Sequence, residues 1–353
     1  MMLSARWASA VAALMALAMS ACGGGGGGGD GPPPTPAPNP LYVSTRGNDA
    51  NSGADTQNAL RTISRAAEVA RDGYKIIVAA GVYNEGVTTA EMGEAPQRLS
   101  FLADGEVVID GTGTAAPAGF NLFSSLGTTI AGLTPQDGFV ITGFPDAGIV
   151  IKSDSDDFTI QNCTVFANDG DGIRVQDSKG PLIFNNLVYD NRGTGVAIVG
   201  TIKGSPDARI LSNTIVNNGN RAITIGNSRR ASAGAEVKNN ILQNNGGDAN
   251  IKVFTDPPSD TRYDGNYNLV FPASYIPSSI DGARDVNANA LFVGGDGASV
   301  DAYCLQTTSP AINKGTALNL PDPQGNILRA RSTNCRTLDS GILDIGFHFP
   351  RLR

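Results

Sequence analysis

The sequence predicts an all-β protein in which successive coils stack in parallel as a solenoid, and three repeating features support this prediction. The first is a phrase of an apolar pair, an asparagine or cysteine, a second apolar pair and an Asn-rich turn. The asparagine or cysteine recurs at intervals of 23, 27, 27 and 26 residues, obtained by subtracting residue numbers, at Cys163, Asn186, Asn213, Asn240 and Asn266. Such a period is typical of one coil of a solenoid.

The second feature is another row of asparagines, five residues after the first, at Asn168, Asn191, Asn218 and Asn245. Asn tolerates turn geometry, and stacked amides hydrogen-bond along a row. The third feature is a strand with a small residue followed by apolar, variable and apolar positions. Its copies are 148–151, 172–175, 195–198, 222–225 and 250–253. Since alternate side chains of a strand face opposite ways, we expect the aliphatic residues to fill the core and the middle residue to face solvent.

An antiparallel sandwich would also give alternating apolar residues and frequent turns. It does not explain asparagines that align at two offsets. One coil cannot bury its apolar face alone, whereas a stack of coils can. We therefore favour the parallel solenoid.

These repeats resemble those of right-handed parallel β-helix proteins of the pectate-lyase-like superfamily, and the handedness comes from this resemblance. It implies a β-helix over residues 41–270, whose opening stretch 42–53 resembles that of many exported β-helix proteins. The C-terminal capping region, residues 271–353, resembles that of choice-of-anchor β-helix proteins in 309–315 and 343–347. That family often continues with Ala and an acidic residue, where this chain has Phe347-His348-Phe349.

An amphipathic helix is predicted to begin at 60–63, with its small and apolar residues on one side. These are Ile63, Ala66, Ala67 and Ala70. The helix should plug the open N-terminal end of the solenoid core.

Residues 1–21 read as an export signal, with Arg6 ahead of a short apolar run over 8–19. The following Ser20-Ala21-Cys22 resembles a bacterial lipoprotein cleavage box, which implies lipidation of Cys22, although Met19 stands where Leu is more usual. Residues 22–40 are Gly-rich and then Pro-rich, and are predicted to form a tether. By the family's sorting pattern, the absence of Asp after Cys22 implies anchoring in the outer membrane.

The composition limits the class of partner. The net charge is −7, and removal of residues 1–21, whose only charge is Arg6, makes it −8. This balance argues against nucleic acid or anionic lipid as the main partner. The only Trp, Trp7, lies in the signal. We expect a monomer that contacts the membrane through its lipid anchor alone.

Three cysteines remain after Cys22. Cys163 stands on the interior asparagine row, so we expect a free core thiol. Cys304 and Cys335 lie in the capping region, and export makes a disulfide between them plausible. Such a bond would contribute roughly 3 to 4 kcal/mol.

In family members that act on acidic polysaccharides, the substrate lies across the outward residues of one stacked strand. Here the middle positions of that strand are Val150, Arg174, Ala197, Thr224 and Lys252. The next outward positions are Lys152, Gln176, Val199, Gly226 and Phe254. The candidate substrate-binding residues are therefore Lys152 and Gln176, with Arg192 and Arg221 in the preceding turns.

A lyase needs a base, commonly Lys or Arg, and a cation that neutralises the uronate carboxylate. Lys252 and Arg174 are the candidate bases; three coils, roughly 14 Å, separate them, so only one could serve. Oxygen ligands for Ca²⁺ could come from Asp169, Asp171 and Asp177. The alternative interpretation is ordinary turn chemistry in the Asp-Gly-Asp-Gly stretch, with solvated Lys and Arg on the coils.

Other mechanisms lack their residues. The chain has no Gly-His-Gly with clustered aspartates, as in polygalacturonases, and only Asp177 matches the Asp-Pro-His-Asp of mannuronan epimerases. The sole histidine, His348, is expected to be a surface or packing residue, which excludes a Zn site or a Ser-His-Asp triad. Two functions remain: an envelope protein that binds or organises an acidic polysaccharide, or a Ca²⁺-dependent lyase acting by β-elimination on a uronate polymer.

Overall fold

The computed structural model describes residues 39–89, 97–153, 155–201, 204–227, 233–255, 262–294, 300–320, 328 and 331–349. The predicted signal, the lipidation site Cys22 and nearly all of the tether lie outside this part of the chain. Within it, none of the helices combines the length and apolar character needed to cross a membrane.

The chain folds as a right-handed parallel β-helix, as the repeats and the resemblance predicted. A typical coil contributes one strand to each of three rows. The first two rows belong to a sheet of 15 strands, and the third row is a sheet of eight, counted over the described residues. All pairings between named strands of the described residues are parallel.

The first row contains β6 (Thr129–Gly132), β9 (Thr159–Gln161), β12 (Leu182–Phe184), β15 (Ser205–Leu211), β18 (Ala233–Lys238) and β21 (Arg262–Asn266). The second row contains β7 (Gly138–Thr142), β10 (Thr164–Phe166), β13 (Leu187–Tyr189), β16 (Thr214–Val216), β19 (Ile241–Gln243) and β22 (Leu269–Phe271). At the N-terminal end stand β1 (Leu41–Val43), β2 (Lys75–Tyr83) and β4 (Ser100–Asp110); β4 pairs with both rows.

The third row contains β3 (Val87–Thr88), β5 (Ala118–Phe123), β8 (Ala147–Lys152), β11 (Asp171–Gln176), β14 (Val196–Val199), β17 (Ile223–Ile225), β20 (Ile251–Val253) and β23 (Tyr275–Ile276). Two short 3₁₀ turns follow, at Ser278–Ile280 and Val300–Tyr303.

The first asparagine row forms an amide ladder inside the core. Asn186 Nδ2 donates to Asn213 Oδ1 over 3.0 Å, and the same bond joins Asn213 to Asn240 and Asn240 to Asn268. The ladder therefore ends at Asn268, and the predicted Asn266 is wrong. Because Lys238 pairs with Asn266 in the strand register, the last interval is 28 residues instead of 26.

The second asparagine row forms another ladder. Asn168 donates to Asn191, Asn191 to Asn218, and Asn218 to Asn245, over 2.8 to 3.0 Å. Each rung thus satisfies polar groups that would otherwise be buried without partners. At the Cys163 position, the backbone N–H donates to Asn186 Oδ1 over 2.9 Å, while the buried thiol is free, as predicted.

The predicted N-terminal helix is α1 (Ile63–Val69). Thr62 caps it, since its Oγ1 accepts from the Arg65 backbone N–H over 3.1 Å. Ile63, Ala66 and Ala67 are buried in the same core cluster as the solenoid aliphatics. The helix therefore closes the core at its N-terminal end.

The C-terminal segment covers one flank of the solenoid. We call this side the covered flank. It consists of outward side chains of the second row, which form one buried cluster with residues of 290–349. These side chains are Leu187, Tyr189, Val216, Ile241 and Leu269. Cys304 and Cys335 form the predicted disulfide within that segment, with Cα atoms 5.7 Å apart.

Asparagine side chains in turns of the solenoid hold this segment in place. Asn185 immediately precedes Asn186 of the first asparagine ladder, and its backbone is left-handed, with a φ of 53°. Its side chain accepts from the His348 backbone N–H over 2.7 Å and donates to the His348 carbonyl over 3.2 Å. Asn239 makes the equivalent pair of bonds to Thr316.

Candidate functional site

The outward side chains of the third row form a continuous stripe, which we call the open face. The strand register confirms the alignment of Val150, Arg174, Ala197, Thr224 and Lys252, with Asn121 ahead of them. Two residues further along, Lys152, Gln176 and Val199 align with Phe123.

The expectation that every middle residue faces solvent is wrong for three positions. Val150, Ala197 and Thr224 are buried, at 0%, 5% and 8% exposure. A short side chain between longer neighbours about 4.8 Å away is shielded from water by them. The charged residues of the open face therefore project from a surface in which the shorter side chains are buried.

Arg174 lies at the centre of the most developed charge cluster. Its Nε donates to Asp171 over 2.8 Å, and its Nη1 donates to Asp146 over 2.9 Å. Burial opposes the guanidinium charge, but the hydrogen bonds and charges of the two aspartates outweigh it and raise the pKa of Arg174. Asp171 also accepts from the Thr194 backbone N–H over 2.8 Å, which fixes its carboxylate.

A second cluster surrounds Lys252. Its Nζ donates to Asp248 over 2.9 Å, and the guanidinium of Arg221 donates to the other oxygen of the same carboxylate. The hydrogen bond from Arg221, supported by that from Lys252, lowers the pKa of Asp248 well below its usual range. Two of the residues predicted from the sequence, Lys252 on a strand and Arg221 in a turn, therefore bind the same carboxylate, that of Asp248.

Two lysines of the open face lie over aromatic rings. Lys152 Nζ is 5.3 Å from the ring centre of Phe123, and Lys252 Nζ is 5.0 Å from that of Phe254. Among the described residues, no carboxylate lies within 4.0 Å of Lys152. Gln176, between these two ends, donates to Thr201 Oγ1 over 3.2 Å.

The three predicted metal ligands have separate partners. Asp169 pairs with Arg192 over 3.2 Å, and Asp171 pairs with Arg174. Asp177 is buried and accepts from the backbone of Thr201 and Gly204. Asp177 follows Asp171 by six positions along extended chain, a distance of about 20 Å. In the described part of the chain, no three His, Cys, Asp or Glu side chains gather as metal ligands.

His348 is a packing residue. It is fully buried, with Nε2 2.8 Å from Asp339 and Nδ1 2.9 Å from the Gly346 carbonyl. Both ring nitrogens are thus engaged within the C-terminal segment, away from the open face.

Sequence reasoning missed Asp146 and Asp248, which complete the two charge clusters. Both stand two residues before the small residue of the repeated strand pattern, at 148 and 250, and Asp171 stands one residue before Gly172. An acid recurring just ahead of the strand was the signal that could have found them.

Comparisons with known proteins agree with the architecture. Residues 121–256 match the family described as right handed beta helix region. No match was found among curated proteins.

Among solved structures, the chain resembles a crystal structure of pectate lyase Pel9A, with 15% identity and a TM-score of 0.50, over 88% of this chain and 96% of that one. A rhamnogalacturonan lyase gives 14% identity and a TM-score of 0.45, over 67% and 69%. The complex of XylC with xylose gives 11% and 0.37, over 72% and 87%. At such identities these likenesses concern the fold alone.

Proposed function

We propose that this protein binds a polysaccharide along its open face and does not cleave it. The observation that carries the proposal is the pairing of charges there: Arg174 and Lys252 each donate to a carboxylate at 2.8 to 2.9 Å. Paired guanidinium and carboxylate groups can donate to and accept from sugar hydroxyls with little net charge.

The stacking of coils suits a linear polymer. Successive open-face residues repeat at about 4.8 Å, a distance comparable with one sugar unit. The Lys–Phe pairs near the two ends, at Lys152 and Lys252, offer a ring for stacking beside a cation for a uronate carboxylate. An acidic polysaccharide remains the proposed class, with Lys152 as its first point of contact.

The alternative, a β-eliminating lyase, needs a side chain that accepts a proton. Lys252 Nζ is engaged as a donor to Asp248, and the raised pKa of Arg174 opposes deprotonation. These contacts favour binding over catalysis. The lyase predicts a dependence on Ca²⁺, so every binding assay should be run with and without that ion.

We also propose that the protein is exported and lipid-anchored through Cys22 in the cell envelope, at the outer membrane. The support is the sequence alone: small residues before the cysteine and a Gly/Pro-rich tether after it. Membrane retention that is unchanged in Cys22→Ala would contradict the anchor.

The test of binding is affinity electrophoresis of the whole protein in gels that contain uronate or neutral polymers. Lys252→Met should migrate faster than wild type in the retaining gel, because it loses a contact to the polymer. Lys238→Met is the matched control on the first row: its ammonium lies 2.8 Å from a carboxylate, against 2.9 Å for Lys252, and its side chain is 22% exposed, against 21%. Equal loss of retardation in both variants would overturn the proposal.

A further inference from the structure

A cavity of about 350 Å³ lies where the C-terminal segment meets the first coils. Its lining combines β4, β7 and β10 with the C-terminal segment, and none of its described residues belongs to the third row. The volume is within the range that holds a small ligand. The cavity is therefore a second concave site, separate from the open face.

One side chain of this cavity is a buried cation without enough partners. Arg331 is 1% exposed, and its Nη1 donates to the His348 carbonyl over 3.0 Å. Its Nε and Nη2 atoms are buried and have no hydrogen-bond partner among the residues that the structure describes. Burial lowers the pKa of Arg331 to about 10. A buried charged donor without an acceptor is costly, so a ligand oxygen here would be stabilised.

The cavity also contains an excess of acceptors. Glu106, Asp137 and Asp301 line it along with Arg331, so one positive and three negative groups give a local charge of −2. Asp137 Oδ2 is occupied by the backbone and hydroxyl of Thr134, at 2.9 and 2.6 Å. An anionic ligand would be repelled by these carboxylates, whereas a neutral hydroxyl oxygen can accept from the Arg331 guanidinium without adding charge.

Aromatic rings complete the wall. Phe347 and Phe349 line the cavity, with ring centres 4.7 Å apart in an edge-to-face arrangement. Such rings pack against the C–H face of a sugar, while hydroxyls donate to carboxylates and accept from a guanidinium. We propose that this cavity binds a single neutral sugar unit, as an additional carbohydrate site distinct from the open face.

The test uses ligand-observed saturation-transfer NMR on the whole protein, with the methyl glycosides of galactose, glucose, xylose and rhamnose as probes. At least one glycoside should bind. Glu106→Gln should weaken that binding about tenfold, the effect of losing one charged hydrogen-bond partner. Asp104→Asn is the control, because Asp104 is equally exposed on β4 but does not line the cavity.

Arg331→Met should abolish binding, but this buried substitution also affects folding. Its melting curve must be recorded, and the exposed Asp301→Asn gives an independent check with the same expected weakening. Lys238→Met, on the first row and outside the cavity, should leave glycoside binding unchanged.

Several results would overturn the proposal. These are failure of every glycoside to bind, binding that is unchanged in Glu106→Gln and Asp301→Asn, or binding lost in Lys238→Met. Tighter binding of free galacturonate or glucosamine than of the neutral glycosides would also overturn it, because the site would then select a charge.

Discussion

The covered flank and the open face are two outward surfaces of one solenoid, built from strands of similar length and equal spacing. On the covered flank, outward positions such as Leu187 and Tyr189 are apolar, and the chain buries them under its own C-terminal segment. On the open face, Arg174 and Lys252 keep about a fifth to a quarter of their side chains exposed. The fold thus leaves its charged stripe accessible to a ligand and covers its apolar one.

The largest effect should come from the covered flank, through Tyr189→Ala. Tyr189 stacks on Phe166 with ring centres 4.9 Å apart and contacts Tyr303 at 4.8 Å. Loss of a buried aromatic ring should lower the free energy of unfolding by about 3–5 kcal/mol. Urea unfolding measures it; a loss below about 1 kcal/mol would mean that the C-terminal segment does not depend on this contact.

The second-largest loss of stability should come from removal of the disulfide. Replacing Cys304 and Cys335 by Ser removes a cross-link with a sequence separation of 31. Loop-closure entropy predicts a loss of about 3–4 kcal/mol in unfolding free energy. The matched control is Cys163→Ser, which alters no cross-link. Protease sensitivity confined to 290–349 in the double variant would show that the covered flank has opened.

On the open face, Arg174→Met should change stability by less than about 1 kcal/mol, since partly exposed ion pairs contribute little. Its effect should appear in polysaccharide retention instead. Lys238→Met is the control, because Lys238 is similarly exposed and also pairs with two carboxylates, those of Glu236 and Asp264. A destabilisation as large as that of Tyr189→Ala would remove the distinction between the two surfaces.

The smallest effect concerns pH. Arg221 and Lys252 lower the pKa of Asp248 in the folded state, so this carboxylate contributes stability that is present above its unfolded value of 3.8 and is lost as the pH falls. Asp248→Asn should therefore make the melting temperature less sensitive to acid below that value. An unchanged acid dependence would mean that the ion pairs do not persist in solution.

The sequence predicted correctly the features in which each residue serves a single structural purpose. The two amide ladders, the helix at Ile63 and the Cys304–Cys335 disulfide were all predicted. The end of the first asparagine ladder was misassigned because Asn266 and Asn268 both fit the repeat. The strand register, in which Asn266 pairs with Lys238, decides between them. The burial of the short open-face residues was missed because it depends on their neighbours.

The cavity could not be predicted for a different reason. Its charged residues, Glu106, Asp137, Asp301 and Arg331, come from distant parts of the sequence and follow no repeat. They meet because the C-terminal segment folds back on the first coils. A periodic sequence reveals the solenoid and leaves such contacts unspecified.

The most direct test of the central claim measures binding and cleavage in the same sample. The whole protein is incubated with a uronate polysaccharide that retards it in a gel, with and without Ca²⁺, while the ultraviolet absorbance of unsaturated uronate product is followed. Binding without catalysis predicts retardation and a flat absorbance trace. A rise in absorbance that disappears in Lys252→Met or Arg174→Met would contradict it and establish the lyase.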